Sequence, residues 1–259
     1  MPDILTTEAV LSSQQVEAFD RDGYLILDGF FEEALNRQLI AEVDDQAEGR
    51  ITCTHACELP VHGSLIAMPR MLGIAEQLLG PGFHFTHSGT RRMGPGCGPS
   101  VWHHDYSQFP QSNRRHRMIG MLGYLSGLDG TIGDLVVLPG SHRLVMETGA
   151  MNRFRTEVLP DEVVIRAGAG TLAVLDAAII HARRPQPGGA GRFRYLLDVN
   201  YCQAGVRWVG QSDWRACLSR VRELGLDRGI PGLIAEERFF DVEAARQRMG
   251  QAAGSLIMA

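Results

Sequence analysis

The chain has 259 residues, 44% of them hydrophobic and 21% charged, which is enough for one domain with a sizeable core and too apolar for a disordered chain. A formal charge of -5 and a pI near 6.0 leave no electrostatic footprint for nucleic acid. The N-terminus MPDILTTEAVLSSQQV lacks a basic region followed by an apolar run, and no stretch approaches the roughly 18 apolar residues of a membrane span, so no membrane partner and a reducing, cytoplasmic setting are expected.

In chain order, Ser12 and Gln15 have the spacing of a capping box and open a helix that ends near Gly23. Tyr24 to Leu27 is a β-prone run closed by Asp28-Gly29. A second helix begins around Phe31, with Leu35, Leu39, Val43 and Ala47 on one face and Glu32 and Glu33 in its first turn. Cys53 and Cys57 bracket His55, but the second close pair of a structural zinc site is missing. The five cysteines, with Cys97, Cys202 and Cys217, are therefore expected as buried or half-buried thiols. Met71, Ile74, Ala75, Leu78 and Leu79, stopped by Gly80-Pro81, mark another amphipathic helix.

From Phe83 the texture changes to short apolar runs separated by Gly, Pro and Asp: Phe83 to Ser88, Met118 to Leu125, Leu135 to Leu138, Glu162 to Ile165, Thr171 to Leu175 and Arg192 to Asn200. Such runs without intervening helices predict an antiparallel sandwich or barrel. Helix returns from Ser212, with Trp214, Leu218 and Val221 on one face, followed by Phe239-Phe240 and Val242. The expected organisation is one domain over 1–259, mainly β, with a core at 83–201 and mostly helical flanks at 1–82 and 202–259.

The chemistry concentrates in Val101-Trp102-His103-His104-Asp105. In an extended strand His103 and Asp105 share a face while His104 and Trp102 point away, which selects the first pair as metal ligands. A third ligand must come from elsewhere. His181, at the end of the apolar run Thr171 to Ile180, and His142, in the turn Leu138-Pro139-Gly140-Ser141-His142, both qualify, and either serves equally well as a structural histidine. Two imidazoles and a carboxylate on one face of an octahedron suit non-haem ferrous iron. Arg192 and Arg194, placed by alternation on one strand face, offer a rigid donor pair for a carboxylate. Trp102, Tyr106, Phe109, Tyr201 and Trp208 suit an apolar pocket, and Arg114, Arg115 and Arg117 an anionic substrate group.

His103-His104-Asp105 with Phe109-Pro110, Val136-Val137-Leu138-Pro139-Gly140-Ser141-His142, the segment from Gly170 to His181, and Arg192 together resemble the phytanoyl-CoA dioxygenase family of iron(II) and 2-oxoglutarate dependent oxygenases. The resemblance runs from Asp22-Gly23-Tyr24 to about Tyr201. It implies a double-stranded β-helix, or jelly-roll, core. His103, Asp105 and His181 become the iron ligands, with His142 left structural. Arg192 becomes the residue that binds the distal carboxylate of 2-oxoglutarate, with Arg194 second, and Arg91 or Arg92 lies near the cosubstrate. The implied reaction uses Fe(II), 2-oxoglutarate and O2 to hydroxylate an unactivated C–H bond of a small molecule, releasing succinate and CO2. Ala182-Arg183-Arg184 after the distal histidine departs from the family's small residues. The competing readings are a cupin-like metalloenzyme without 2-oxoglutarate and a non-catalytic ligand-binding β-domain.

Overall fold

The computed structural model describes residues 10–44, 46, 49–109, 115–145, 157–185, 192–211 and 213–257. The N-terminal part carries α1 (Ser13–Asp22), β1 (Tyr24–Leu27), α2 (Glu33–Asp44), β2 (Gly49–Ile51), α3 (Cys53–Ala56), α4 (Pro60–Ser64) and α5 (Pro69–Leu79). The central strands are β3 (His84–Met93), β4 (Ser100–His103), β5 (Gln108–Phe109), β6 (Met118–Tyr124), β7 (Leu135–Val137), β8 (Val163–Val164), β9 (Thr171–Asp176), β10 (His181–Arg183) and β11 (Arg194–Cys202). The chain closes with β12 (Arg207–Val209), α6 (Trp214–Glu223), β13 (Phe239–Phe240) and α7 (Val242–Ile257). Ala47, Pro110, Arg114 and the Pro187 to Gly191 link lie outside the described residues.

Six strands form an antiparallel sheet in the order β1-β9-β6-β11-β3-β2, and four form a second in the order β4-β10-β7-β8. One core lies between the sheets, built from Tyr124, Leu135, Val137, Ala173, Leu175 and Leu196. A larger one lies on the outer face of the six-stranded sheet, where Leu172, Val174, Leu197 and Val199 meet Met71, Leu72 and Ile74 of α5 and Leu218 and Val221 of α6. Alternation along each strand sends successive side chains to these two cores. The short strand runs predict the antiparallel sandwich, and the family resemblance implies the double-stranded β-helix with flanking helices that the sheets form. The described helices include none long and apolar enough to cross a membrane.

Two local features differ from the sequence expectation. The strand expected at Thr171 to Leu175 is β9, but the apolar run does not carry it on to His181: it turns after Asp176, and His181 opens a separate strand, β10. Asp176 caps the turn between them, its Oδ1 accepting from Ala178 N–H at 2.9 Å and its carbonyl from Ile179 N–H at 2.9 Å, and the chain passes there from one sheet to the other. Cys53 and Cys217, expected as thiols, are joined in a disulfide that links α3 to α6 across 164 residues. Cys57 and Cys202 are buried free thiols and Cys97 is half-buried.

The capping box at Ser12 and Gln15 is present, and α1 ends at Gly23, whose φ of 84° donates its N–H to Phe19 O at 2.8 Å. A Cβ on Gly23 would sit 2.4 Å from His142 Nδ1. His142 is thus the packing partner of a helix cap, its Nε2 facing Asp20 O at 3.3 Å. Gly23→Ala is expected to lower unfolding stability by about 2 kcal/mol, left-handed backbone and overpacking acting together, as measured by urea denaturation.

His84, at the start of β3, is 1% exposed with neither ring nitrogen hydrogen-bonded, and it packs edge-on against Phe239. Burial, reinforced by Arg238, pushes its pKa from 6.5 to about 4. Above pH 6.5 the ring is neutral in both states. Between 6.5 and about 4 the unfolded chain takes up the proton first, so stability falls with pH through that window by up to about 3 kcal/mol. His84→Phe should flatten that acid limb in a pH series of denaturation midpoints.

Candidate metal centre

The small sheet builds the metal site. His103 ends β4 and His181 begins β10, and the two residues are direct partners across the antiparallel pair, with ring centroids 4.3 Å apart. Each ring donates its Nδ1–H to a backbone carbonyl two residues before it: His103 to Val101 O at 2.7 Å and His181 to Ile179 O at 3.1 Å. A carbonyl only accepts, so these bonds fix the tautomer and leave both Nε2 lone pairs facing a common point. Asp105 lies past the end of β4, and its N–H donates to Ala177 O at 2.8 Å, which places the carboxylate over the histidines. Oδ1 is 3.8 Å from His103 Nε2 and Oδ2 is 3.5 Å from His181 Nε2. The three ligand atoms lie within 4.8 Å of one another, the one such His/Cys/Asp/Glu grouping among the described residues.

The electrostatics favour the ligand forms. Burial alone would raise the Asp105 pKa, but His181, then His103, His87 and Arg91, outweigh it and hold the carboxyl below its ordinary value. The carboxylate itself is exposed, opening into the cavity. Burial lowers the His181 pKa against the pull of Asp105, which keeps the ring neutral at physiological pH. A neutral imidazole and an ionised carboxylate are what a divalent cation requires. His104 is buried and points to the opposite side, as alternation predicts.

These ligands open into a cavity of about 460 Å³ between the sheets. On β11 the cavity face carries Arg194, Leu196, Asp198 and Asn200, while Leu197 and Val199 join the outer core. Arg194 is 3% exposed, hydrogen-bonds Tyr124, and has its pKa lowered by burial to about 10. The charges of Arg91 and Arg183 bear on both Arg194 and Tyr124. The Nε of Arg91, the Nε of Arg194 and Nη1 of Arg183 are buried without a hydrogen-bond partner. Three guanidinium groups with orphaned N–H donors beside a His/Asp/His cluster fit a cation chelated by a dianion.

Arg192 is not brought to this cavity. β11 begins at Arg194, and Arg192, two residues earlier, is 47% exposed and pairs with Asp129 and the carbonyl of Ser126. Arg92 also points away, stacking on Phe193 at 3.9 Å with Asp44 at 3.5 Å, whereas Arg91 lines the cavity. Trp102, Tyr106, Tyr201 and Trp208 are buried outside it. Arg117 is held by Asp20 at 2.7 Å and does not line this cavity. Sequence reasoning passed over His87, Asp198, Asn200 and Gln211, all of which line the cavity.

The profile of the phytanoyl-CoA dioxygenase (PhyH) family matches residues 4–185, more than two thirds of the chain, and spans all three candidate ligands. The chain belongs to the PhyH family. The PhyH match stops short of β11, so Arg194 stands on the structure alone. An ectoine dioxygenase of Bordetella bronchiseptica is 28% identical over 156 residues, covering 51% of this chain and 50% of that protein. The chain thus spans about half the length of the curated relatives it matches. Among solved structures, HygX from Streptomyces hygroscopicus with iron bound has a TM-score of 0.65 at 16% identity, covering 78% of this chain and 91% of that one. HygX has also been solved with nickel, 2-oxoglutarate and hygromycin B. EctD from S. alaskensis with 2-oxoglutarate and 5-hydroxyectoine has a TM-score of 0.62 at 21% identity, covering 78% and 80%. At these identities the likeness establishes the fold.

Proposed function

We propose that this PhyH-family protein is an iron(II) and 2-oxoglutarate dependent dioxygenase acting on a C–H bond of a small molecule. The observation that carries the reading is the convergence, in one cavity, of His103, Asp105 and His181 with the unpartnered guanidinium N–H groups of Arg91, Arg183 and Arg194. Iron(II), with 2-oxoglutarate and O2 bound, supplies the oxidising chemistry, with succinate and CO2 as co-products. The protein's part is to hold and orient. His103 and His181 present fixed Nε2 lone pairs, and Asp105 offers the anionic ligand. Arg194, rigid against Tyr124, pairs with the distal carboxylate of 2-oxoglutarate. Arg91 and Arg183 add positive charge at that end, so the cosubstrate has one preferred direction. The two sheets exclude bulk water behind it.

Structures of HygX and EctD that hold 2-oxoglutarate support the same use of the shared fold here. A metalloenzyme working without 2-oxoglutarate would leave a buried guanidinium N–H donor on each of Arg91, Arg183 and Arg194 unanswered. The test is succinate release from 2-oxoglutarate by the purified protein in air. Turnover that requires Fe(II) and is not supported by Zn(II) is expected, and an Fe(II)-loaded protein that leaves 2-oxoglutarate unconsumed would refute the reading.

A further inference from the structure

The cavity wall beside the metal site carries a buried carboxylate with no use in binding iron or 2-oxoglutarate. Asp198 is 7% exposed and sits on β11 four residues beyond Arg194, about 13 Å along the strand. Its Oδ2 accepts from Asn200 Nδ2 at 3.1 Å, and its Oδ1 is buried with no hydrogen-bond partner. Among the described residues its one ionic neighbour is His87, at 3.7 Å, whose pKa burial lowers. Three of the cavity's arginines, Arg91, Arg183 and Arg194, gather about Tyr124, and the fourth, Arg50, whose charge bears on His87, donates to Gln211 Oε1 at 3.3 Å and forms no ion pair with Asp198 among the described residues. The chain contains no lysine that might answer Asp198. A carboxylate left this way is costly unless a cation arrives from outside.

The backbone makes room for this group. Gly89 on β3 stands directly opposite Asp198, and Gly120 on β6 opposite Asn200. A Cβ at either glycine would come within 3.2 Å of Asp198 Oδ1 or 3.0 Å of Asn200 Oδ1. The polar line continues from Asp198 through His87 to Gln211, whose Nε2 is 3.3 Å from the His87 ring. No lipid tail is suited to such a wall.

We infer that the substrate is a polar amine whose ammonium group is received by Asp198, with Asn200 and Gln211 hydrogen-bonding its neighbouring hydroxyl or amide groups. The inference rests on the dioxygenase reading for what then happens to the amine. Binding of the amine itself is independent of that reading. The cavity accordingly gathers three guanidinium groups, Arg91, Arg183 and Arg194, at the dianion's end and places the Asp198 carboxylate at the substrate's, where Arg50 is bonded to Gln211.

The test pairs two readouts. Calorimetric titration of the protein with glucosamine, cyclohexylamine and spermidine, against glucose, cyclohexanol and hexanoyl-coenzyme A, reads amine binding without iron or 2-oxoglutarate. The same additions to the anaerobic Fe(II)·2-oxoglutarate complex read proximity to the metal through a shift of its visible band. At least one amine should bind and shift the band, its uncharged counterpart should bind at least about tenfold more weakly, and Asp198→Asn should lose about that factor while Asp198→Glu recovers part of it. Thermal unfolding of both variants checks that they are folded. Equal binding of amine and neutral counterpart, preference for the acyl thioester, or no amine binding at all would overturn the proposal. Amine binding that depends on Asp198 in a protein with no visible band would instead sustain it and remove the dioxygenase reading.

Discussion

Asp105→Ala is expected to reduce Fe(II) affinity by more than about 100-fold, beyond the loss that follows removal of a supporting outer partner, and to abolish 2-oxoglutarate consumption. The reason is specific to this site. His103 and His181 are held by Nδ1–H bonds to Val101 O and Ile179 O, neither of which involves Asp105, so the variant is expected to keep both imidazoles in place and lose only the anionic donor. Two neutral nitrogens then face a dication without the charge that offsets its desolvation. Equilibrium dialysis against Fe(II), with thermal unfolding as the fold control, measures the loss. Retention of wild-type affinity would remove Asp105 from the ligand set.

Arg194→Ala should weaken 2-oxoglutarate by about 3 kcal/mol, roughly 100-fold, because a buried guanidinium facing a buried carboxylate has no water to replace it. Arg192→Ala should change the same constant by less than about twofold, since Arg192 is a surface residue whose pairing with Asp129 contributes little. Arg194→Lys restores the charge but not the planar donor fork, and recovers only part of the affinity. Titrating each variant with 2-oxoglutarate in the presence of Fe(II) decides between the two arginines. The reverse order, with Arg192 essential and Arg194 dispensable, would require β11 to be entered two residues earlier than it is.

The alternation that selects His103 and Asp105 is legible because a strand's period of two depends on nothing distant. The choice between His142 and His181 is not local. Both follow apolar strands, and only the fold shows His142 pressed against Gly23 at a helix cap 119 positions away in sequence, while His181 lands opposite His103. The two arginines part for a different reason: Arg194 lines the cavity and Arg192 lies exposed beside Asp129. Alternation gives Arg192 and Arg194 the same parity but says nothing of where the strand starts, and the ladder begins only at the pairing of Arg194 with Met93. That parity, carried forward from Arg194, reaches Leu196, Asp198 and Asn200. The two polar residues at that spacing in an otherwise apolar strand were a readable sign of a polar wall. The Cys53–Cys217 pair left no such sign, because α3 and α6 meet only through packing on the six-stranded sheet.

Anaerobic addition of Fe(II) and then 2-oxoglutarate to the wild-type protein, followed by visible absorption, tests the central claim most directly. A weak metal-to-ligand charge-transfer band that appears only with both additions, vanishes in Asp105→Ala and in Arg194→Ala requires far more 2-oxoglutarate is the predicted result. Iron bound at His103, Asp105 and His181 with no band at saturating 2-oxoglutarate would contradict it.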